Sequence, residues 1–97
     1  MDPGQPDNIS NADVVMPTAG RDQGKIFYVI KEDPVYLYLA NGKDRTLDKP
    51  KQKKRKHVQK VLRSETRVAQ KIKEGSKVLN GELRRDLAFL ARDNASK

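Results

Sequence analysis

The side chains of this 97-residue chain that are most able to do chemistry lie in one basic segment. Residues 49–57 read KPKQKKRKH and hold six lysine or arginine side chains, one histidine and no acid. Residues 43–63 hold ten basic and two acidic side chains, a net charge of +8 that equals the net charge of the whole chain. A lysine or arginine that meets a phosphate releases a condensed counterion, so a block of this kind predicts contact with a polyanion.

The basic segment has two interpretations. It is a clamp on a phosphate backbone, or it is a solvated charge run of the kind found in disordered arms and localisation signals. A membrane surface fits less well, because the block has no interleaved apolar or aromatic side chain to insert. The lone histidine is structural, or it adds partial charge to a phosphate contact at mildly acidic pH. The candidate phosphate contacts of this region are Lys43, Arg45, Lys49, Lys51, Lys53, Lys54, Arg55, Lys56 and His57.

A second candidate is the glycine loop in TAGRDQGKIFYVI, residues 18–30. A P-loop has four residues between its glycines and a hydroxyl residue after its lysine. Here three residues separate Gly20 from Gly24, Lys25 is followed by an isoleucine, and a strand rather than a helix comes next. The segment is therefore no P-loop. A tight turn alone would explain the glycines but not Arg21 or Lys25.

Residues suited to catalysis or metal binding are scarce. The chain has no cysteine and a single histidine, which excludes a thiolate site and a cluster of histidine ligands. Glu32 and Asp33 are adjacent carboxylates, but they precede Pro34 in a predicted turn, where solvation accounts for them. We therefore expect a protein that is not an enzyme and that uses no cofactor.

Nothing in the sequence predicts a membrane span or a signal peptide. No apolar run approaches the roughly 20 residues that span a bilayer. The N-terminus, MDPGQPDNISNAD, has neither a charged n-region nor an apolar h-region. The default compartment is the cytoplasm. Residues 1–12 offer too little apolar surface to offset ordering entropy, so we expect a disordered tail.

Short strands would position the basic residues. Segments rich in β-branched and aromatic residues predict strands at 13–17, 25–31 and 35–40. Asn41 and Gly42 predict a type I′ hairpin turn, because that turn needs positive φ at both central residues. Residues 43–47 would form the returning strand. Residues 48–56 are too charged to bury and would form a loop or extended arm, and 57–61 a short fifth strand.

The C-terminal third changes to helical periodicity. A first helix would begin at Ser64 as its N-cap and end at Gly75. Asn80 is the candidate cap of a second helix, whose apolar stripe consists of Leu83, Leu87 and Leu90. A small sheet avoids exposed edges best by curling into a barrel, and the barrel is the surface that this stripe can cover.

Two tyrosines on the third predicted strand share one face. Exposed aromatic side chains on a sheet can stack nucleic-acid bases. Alternatively, Tyr36 and Tyr38 pack under the C-terminal helix, beside Leu87 or Phe89. We favour packing over stacking.

The stretch VVMPTAGRDQGKIFYVI resembles a KOW motif: an alternating strand, a glycine loop with basic residues, a GK step and a second alternating strand. KOW motifs occur in SH3-like barrels of ribosomal proteins and of transcription and translation factors. With LANGKDRTLDKPKQKKRKHVQ added, residues 13–62 are similar to bacterial KOW-domain RNA-binding proteins related to an archaeal and eukaryotic large-subunit ribosomal protein. The acidic N-terminal tail departs from that pattern.

The resemblance implies a mostly β fold with C-terminal α structure. A small SH3-like barrel of four or five antiparallel strands would occupy residues 13–62, and two short helices in residues 63–97 would pack on it. It implies a monomer that binds RNA, in particular ribosomal RNA or the large ribosomal subunit, with ribosomal proteins as further partners. Charge alone would also allow double-stranded DNA.

The resemblance also assigns roles within the glycine loop. Gly20 and Gly24 would shape the loop between the first two strands. Arg21 and Lys25 would reach phosphate. Asp22 would orient Arg21 or cap the turn rather than touch RNA.

A second function stays open. SH3-like barrels also bind proteins, so the chain could be a protein-interaction module. Its docking face would be the stripe formed by Leu83, Leu87 and Leu90.

Overall fold

The computed structural model describes residues 8–95, and the first seven residues of the predicted disordered tail lie outside that range. Five strands form one antiparallel sheet in the spatial order β4-β3-β2-β1-β5. Their bounds are Asp13–Pro17 (β1), Phe27–Glu32 (β2), Tyr36–Ala40 (β3), Lys51–Lys54 (β4) and Val58–Arg63 (β5). Two helices follow, Arg67–Glu74 (α1) and Asn80–Ala95 (α2).

A single turn of 3₁₀ helix joins the two edges of the sheet. Residues Arg55–His57 form that turn and lead from β4 at one edge directly to β5 at the other. Three residues span at most roughly 10 Å, so the two edges must lie close together. The strands therefore form a curled half-barrel, and the predicted SH3-like barrel followed by two helices is confirmed.

Both faces of the central strands are buried. The barrel interior holds Ile9, Val15, Phe27, Val29, Leu37, Leu39 and Val58. The opposite face is covered by the helices, in a cluster of Ala12, Val14, Tyr28, Ala40, Val68, Ala69, Leu83 and Leu87. Burial on both faces explains the unbroken apolar run FYV at the start of β2, where a half-exposed strand would alternate. The predicted packing of the α2 stripe on the barrel is confirmed.

The helix ends differ in part from the prediction. Thr66, not Ser64, caps α1, because its Oγ1 accepts the Ala69 N–H at 3.2 Å. Gly75 ends α1 in the left-handed conformation, as expected. Asn80 begins α2, but its side chain does not cap the helix; its Oδ1 accepts the Leu47 N–H at 2.8 Å.

Ser64 belongs instead to a buried polar network beneath the helices. The Tyr28 hydroxyl donates to Asp86 and lies 2.7 Å from Ser64 Oγ, and Thr66 Oγ1 donates to Asp86 Oδ2 at 2.8 Å. Burial and the hydrogen bond to Asp86 raise the pKa of Tyr28 to about 12. The phenol therefore stays a neutral donor at physiological pH and connects β2 to both helices.

The predicted hairpin after β3 is wrong. Residues 41–50 form a loop, and the returning strand is the lysine-rich β4, which was expected to be a loop or arm. Only Gly42 of the predicted turn has a positive φ, and Asn41 Oδ1 accepts the N–H groups of Lys43 and Arg45 at 3.0 Å each. Such side-chain to backbone bonds replace the hairpin ladder. An edge strand can hold three lysines in four residues because its side chains reach water.

The N-terminal prediction is wrong for residues 8–12. Ile9 is 2% exposed in the barrel interior, and Ala12 is buried under the helices. The Ala12 N–H donates to Val29 O at 2.7 Å and the Asn11 N–H to Glu32 Oε2 at 3.0 Å. The segment is thus held in place by two buried apolar side chains and by the hydrogen bonds of two backbone N–H groups.

Candidate nucleic-acid interface

The pairing of β4 with β3 divides the basic run between two faces of the sheet. Lys51 and Lys53 lie opposite Leu39 and Leu37, so they point to the interior side and form the rim of the barrel. Gln52 lies opposite Tyr38, and Lys54 opposite Tyr36, on the outer side. Residues directly opposite one another in an antiparallel pair share a face. We call the second set, together with Lys31, the outer face.

The outer face combines aromatic and basic side chains. Tyr36 and Tyr38 are both half-buried. Gln52 Nε2 donates to the Tyr38 hydroxyl at 3.1 Å, and Lys31 Nζ lies 5.6 Å from the centroid of the same ring. A cation at that distance is attracted to the face of the ring.

The tyrosine that packs under the helices is Tyr28. Neither Tyr36 nor Tyr38 belongs to the cluster beneath α1 and α2, and Phe89 is 62% exposed. The favoured expectation that the pair packs under the C-terminal helix is therefore wrong. Base stacking by the pair stays a prediction.

The rim of the barrel brings the glycine loop beside β4. Lys53 Nζ donates to Ala19 O at 3.0 Å, although 34 residues separate the two in sequence. Gly20, with φ of 91°, lies at the same contact, where an added Cβ would be 3.0 Å from Lys53 Nζ. The two candidate segments of the sequence thus meet along one edge of the barrel.

Two loops next to this edge are joined by ion pairs. Residues 18–26 and 41–50, which we call the loop pair, carry Asp22 and Asp44 between them. Arg45 Nη2 lies 3.0 Å from Asp22 Oδ2, and Lys25 Nζ lies 3.3 Å from Asp44 Oδ2 and 3.8 Å from Asp22 Oδ1. A hydrogen bond from Asn41, together with Lys25, lowers the pKa of Asp44. Two predicted phosphate contacts, Lys25 and Arg45, are therefore neutralised within the protein.

Of the two roles predicted for Asp22, orienting Arg21 is wrong, and a part in the turn is what the structure shows. Asp22 is buried, and its carboxylate accepts from Arg45 rather than orienting Arg21. Its backbone carbonyl accepts the Lys25 N–H at 3.1 Å, which closes the turn. The guanidinium of Arg21 is left exposed on the glycine loop.

The prediction that Arg55 contacts phosphate is wrong. Its side chain is only 6% exposed, and it donates to Glu32 Oε1 at 3.3 Å, to Asp33 O at 2.9 Å and to Ile9 O. These bonds join the 3₁₀ helix to the β2–β3 turn and to the N-terminal segment. The sequence alone does not distinguish this structural arginine from the lysines on either side of it.

The remaining predicted contacts are accessible. In six of the predicted phosphate contacts, the side-chain nitrogens make no ion pair or hydrogen bond with any residue that the structure describes. They are Arg21, Lys43, Lys49, Lys51, Lys54 and Lys56. His57 is exposed on the 3₁₀ helix. These seven side chains lie on the loop pair, on β4 and on the turn that follows it.

Lys31 was missed by the sequence reasoning. It follows the apolar run of β2 and precedes Glu32, and the register that places it opposite Tyr38 brings it to the outer face. Strict alternation would place Lys31 on the interior face with Phe27 and Val29. The irregularity between Val29 and Lys31 moves it to the outer face, so no local pattern in the sequence indicates this position.

No group of acidic, histidine or cysteine side chains within residues 8–95 is arranged to hold a metal ion. In the same part of the chain, neither helix has the length and apolar character to cross a membrane. No protein-family model matches the sequence, and comparison with curated proteins found no match. The similarity to KOW-domain proteins therefore stays a prediction from the motif.

Proposed function

We propose that the protein binds RNA through its phosphate backbone and catalyses no reaction. The observation that carries this proposal is the edge strand β4, which consists of KQKK and is followed by a turn of RKH. Within residues 51–57 there is no acid, and Lys51, Lys54 and Lys56 have no partner in the described chain. An acid-free row of cations on one edge of a barrel is suited to a polyanion.

The outer face favours a nucleic acid over other polyanions. Tyr36 lies opposite the exposed Lys54, and Tyr38 lies opposite Gln52. Sequence-tolerant stacking on aromatic rings accompanies phosphate contacts in single-strand binding. Phosphate contacts fix the register of a complex but do not read sequence. We therefore expect specificity to come from RNA shape and from unpaired bases.

The RNA we propose is ribosomal RNA, as part of the large ribosomal subunit, in the cytoplasm. This choice rests on the resemblance of residues 13–62 to KOW-domain proteins related to a large-subunit protein. We expect the chain to act as a monomer, with ribosomal proteins as neighbours.

The alternative, a protein-interaction module, loses its predicted docking face. Leu83 and Leu87 are buried and Leu90 packs against the same cluster, so the stripe is covered by the barrel. No observation in the described residues favours another protein-docking face over an RNA contact.

Co-sedimentation with ribosomal subunits at several salt concentrations tests the proposal. With about five phosphate contacts, the slope of log K against log salt should be roughly −3.5 to −4.5. Charge reversal of Lys49, Lys54 and Lys56 to glutamate should abolish binding. The matched control reverses the same number of charges at Arg67, Lys73 and Lys77, which are exposed on α1 and just after it.

Two results would contradict the proposal. One is a failure to bind any RNA at low salt. The other is equal loss in the two triple variants, because that would make the binding a response to net charge rather than to the β4 edge.

A further inference from the structure

A cleft of about 360 Å³ lies between α2 and the loop pair. Ile26 and Leu87 contribute to its floor, and two alanines of α2, Ala88 and Ala91, line it with small side chains. Because those alanines are exposed helical positions with little volume, they leave room for a ligand beside the helix. Volumes from about 300 Å³ upward are typical of small-molecule sites.

The rim of the cleft is basic. Lys25 and Asp44 also line it, but they are paired with each other at 3.3 Å and cancel. Lys43 and Arg84 line it as exposed cations that have no partner among the described side chains. An apolar floor below two unpaired cations is complementary to a ligand with a flat apolar body and a negative charge.

The cleft is held open by the packing of the loop pair on α2. Gly42 lies so close to the start of the helix that an added Cβ would be 2.2 Å from Asn80 O. Asn80 Oδ1 also holds the Leu47 N–H at 2.8 Å. These contacts fix the backbone of the loop against the helix before any ligand arrives, which lowers the entropic cost of binding.

We propose that this cleft receives one unpaired nucleotide of the bound RNA. The base would lie on the apolar floor, and Lys43 and Arg84 would meet its flanking phosphates. The proposal rests on the proposed function, and Lys43, one of the predicted phosphate contacts, lines the cleft.

Two RNAs test the proposal: a blunt duplex of roughly 16 base pairs, and the same duplex with a bulge of a few unpaired purines. The protein should bind the bulged RNA at least about fivefold more tightly, as expected for one stacked base.

Ala88→Leu fills the cleft without changing charge, and Arg84→Gln removes one cation. Both should lose the preference and keep most of the affinity for the blunt duplex. Arg92→Gln, an exposed arginine of the same helix outside the cleft, is the matched control and should keep the preference.

The outcomes separate the cleft from the RNA-binding function itself. Equal affinity of the wild-type protein for the two RNAs, or a preference that survives in Ala88→Leu and Arg84→Gln, would overturn the cleft proposal while RNA binding stands. A third outcome combines two results: the wild-type protein shows no preference for the bulged RNA, and it binds a poly-glutamate peptide in a way that Ala88→Leu abolishes. That outcome would assign the cleft to a protein partner and would also overturn the cleft proposal. Failure to bind either RNA at low salt would overturn the proposed function, and the cleft proposal with it. Thermal unfolding of each variant confirms that it is folded.

Discussion

The loop pair and the segment 51–57 hold the same number of basic side chains but differ in how those side chains are used. Each has five lysine or arginine residues; the loop pair also has three aspartates, and residues 51–57 have none. In the loop pair, Lys25 and Arg45 are paired with Asp22 and Asp44. In residues 51–57, only Arg55 is paired with a carboxylate, that of Glu32 on β2.

The difference teaches that the number of basic side chains in a segment is a poor measure of its affinity for a polyanion. The loop pair uses its charges to join two loops that are 19 to 23 residues apart in sequence. Residues 51–57 use backbone pairing to β3 for their structure, so most of their side chains remain accessible. We therefore expect stability to depend on the paired cations and RNA affinity to depend on the unpaired ones.

Arg55→Met tests that distinction with the largest expected effect. Removing this guanidinium takes one hydrogen-bond donor from each of Glu32 Oε1, Asp33 O and Ile9 O, and losing one member of a buried pair costs several kcal/mol. Because Glu32 is partly exposed, we expect the free energy of unfolding to fall by about 3 kcal/mol in chemical denaturation.

The neighbouring exposed lysine supplies the control. Lys56→Met removes one charge at the next position and should change stability by less than about 0.5 kcal/mol. Equal effects of the two substitutions would contradict the division between structural and accessible cations.

Gly42→Ala tests whether the loop pair is fixed against α2. The residue has φ of 79°, and a Cβ there would collide with the Asn80 backbone. Strain and overpacking together should lower the free energy of unfolding by about 2–3 kcal/mol. Gly24→Ala has a similar φ of 90° but nothing within 4 Å of the added Cβ, so it should cost only about 1 kcal/mol. A larger loss of stability for Gly24→Ala than for Gly42→Ala would show that the close approach of Gly42 to the Asn80 backbone does not matter.

The same glycine shows what could be predicted from the sequence. The Asn41-Gly42 pair correctly indicates a positive φ at the glycine, because that property is local. The hairpin inferred from it is wrong, since the contact that requires the glycine is with Asn80, 38 positions later. The strands β1, β2 and β3, the Gly75 helix end and the α2 stripe were predictable because each depends on local periodicity or a single residue type.

The candidate site was predictable as a composition but not residue by residue. Arg55 and Lys56 are adjacent and both basic, yet one is buried and the other exposed. That outcome depends on the curl of the sheet, which brings Glu32 and Ile9 to Arg55. Likewise, residues 8–12 are ordered by contacts with residues distant in sequence, such as Val29 and Glu32, which no local pattern reveals.

Asp22→Asn should change stability and RNA affinity in opposite directions. The substitution weakens the bonds from Arg45 and Lys25 to a buried carboxylate, so we expect a loss of about 1–2 kcal/mol in stability. The freed cations should at the same time strengthen RNA binding and steepen its salt dependence. Asp48→Asn is the control, because it makes the same change in net charge on the same loop pair at an exposed side chain. Weaker RNA binding by Asp22→Asn would mean that the loop pair must keep its geometry to bind RNA at all.

The smallest expected effect compares one unpaired lysine with one paired lysine. Lys54→Met removes an outer-face cation without a partner, so the slope of log K against log salt should become shallower by about 0.7–0.9, the value for one phosphate contact. Lys25→Met removes a cation that is already held by Asp22 and Asp44, so the slope should stay unchanged. Salt titrations of the two variants with the same RNA measure both slopes. If Lys25→Met changes the slope as much as Lys54→Met, the ion pairs of the loop pair open when RNA binds, and the two regions form one interface.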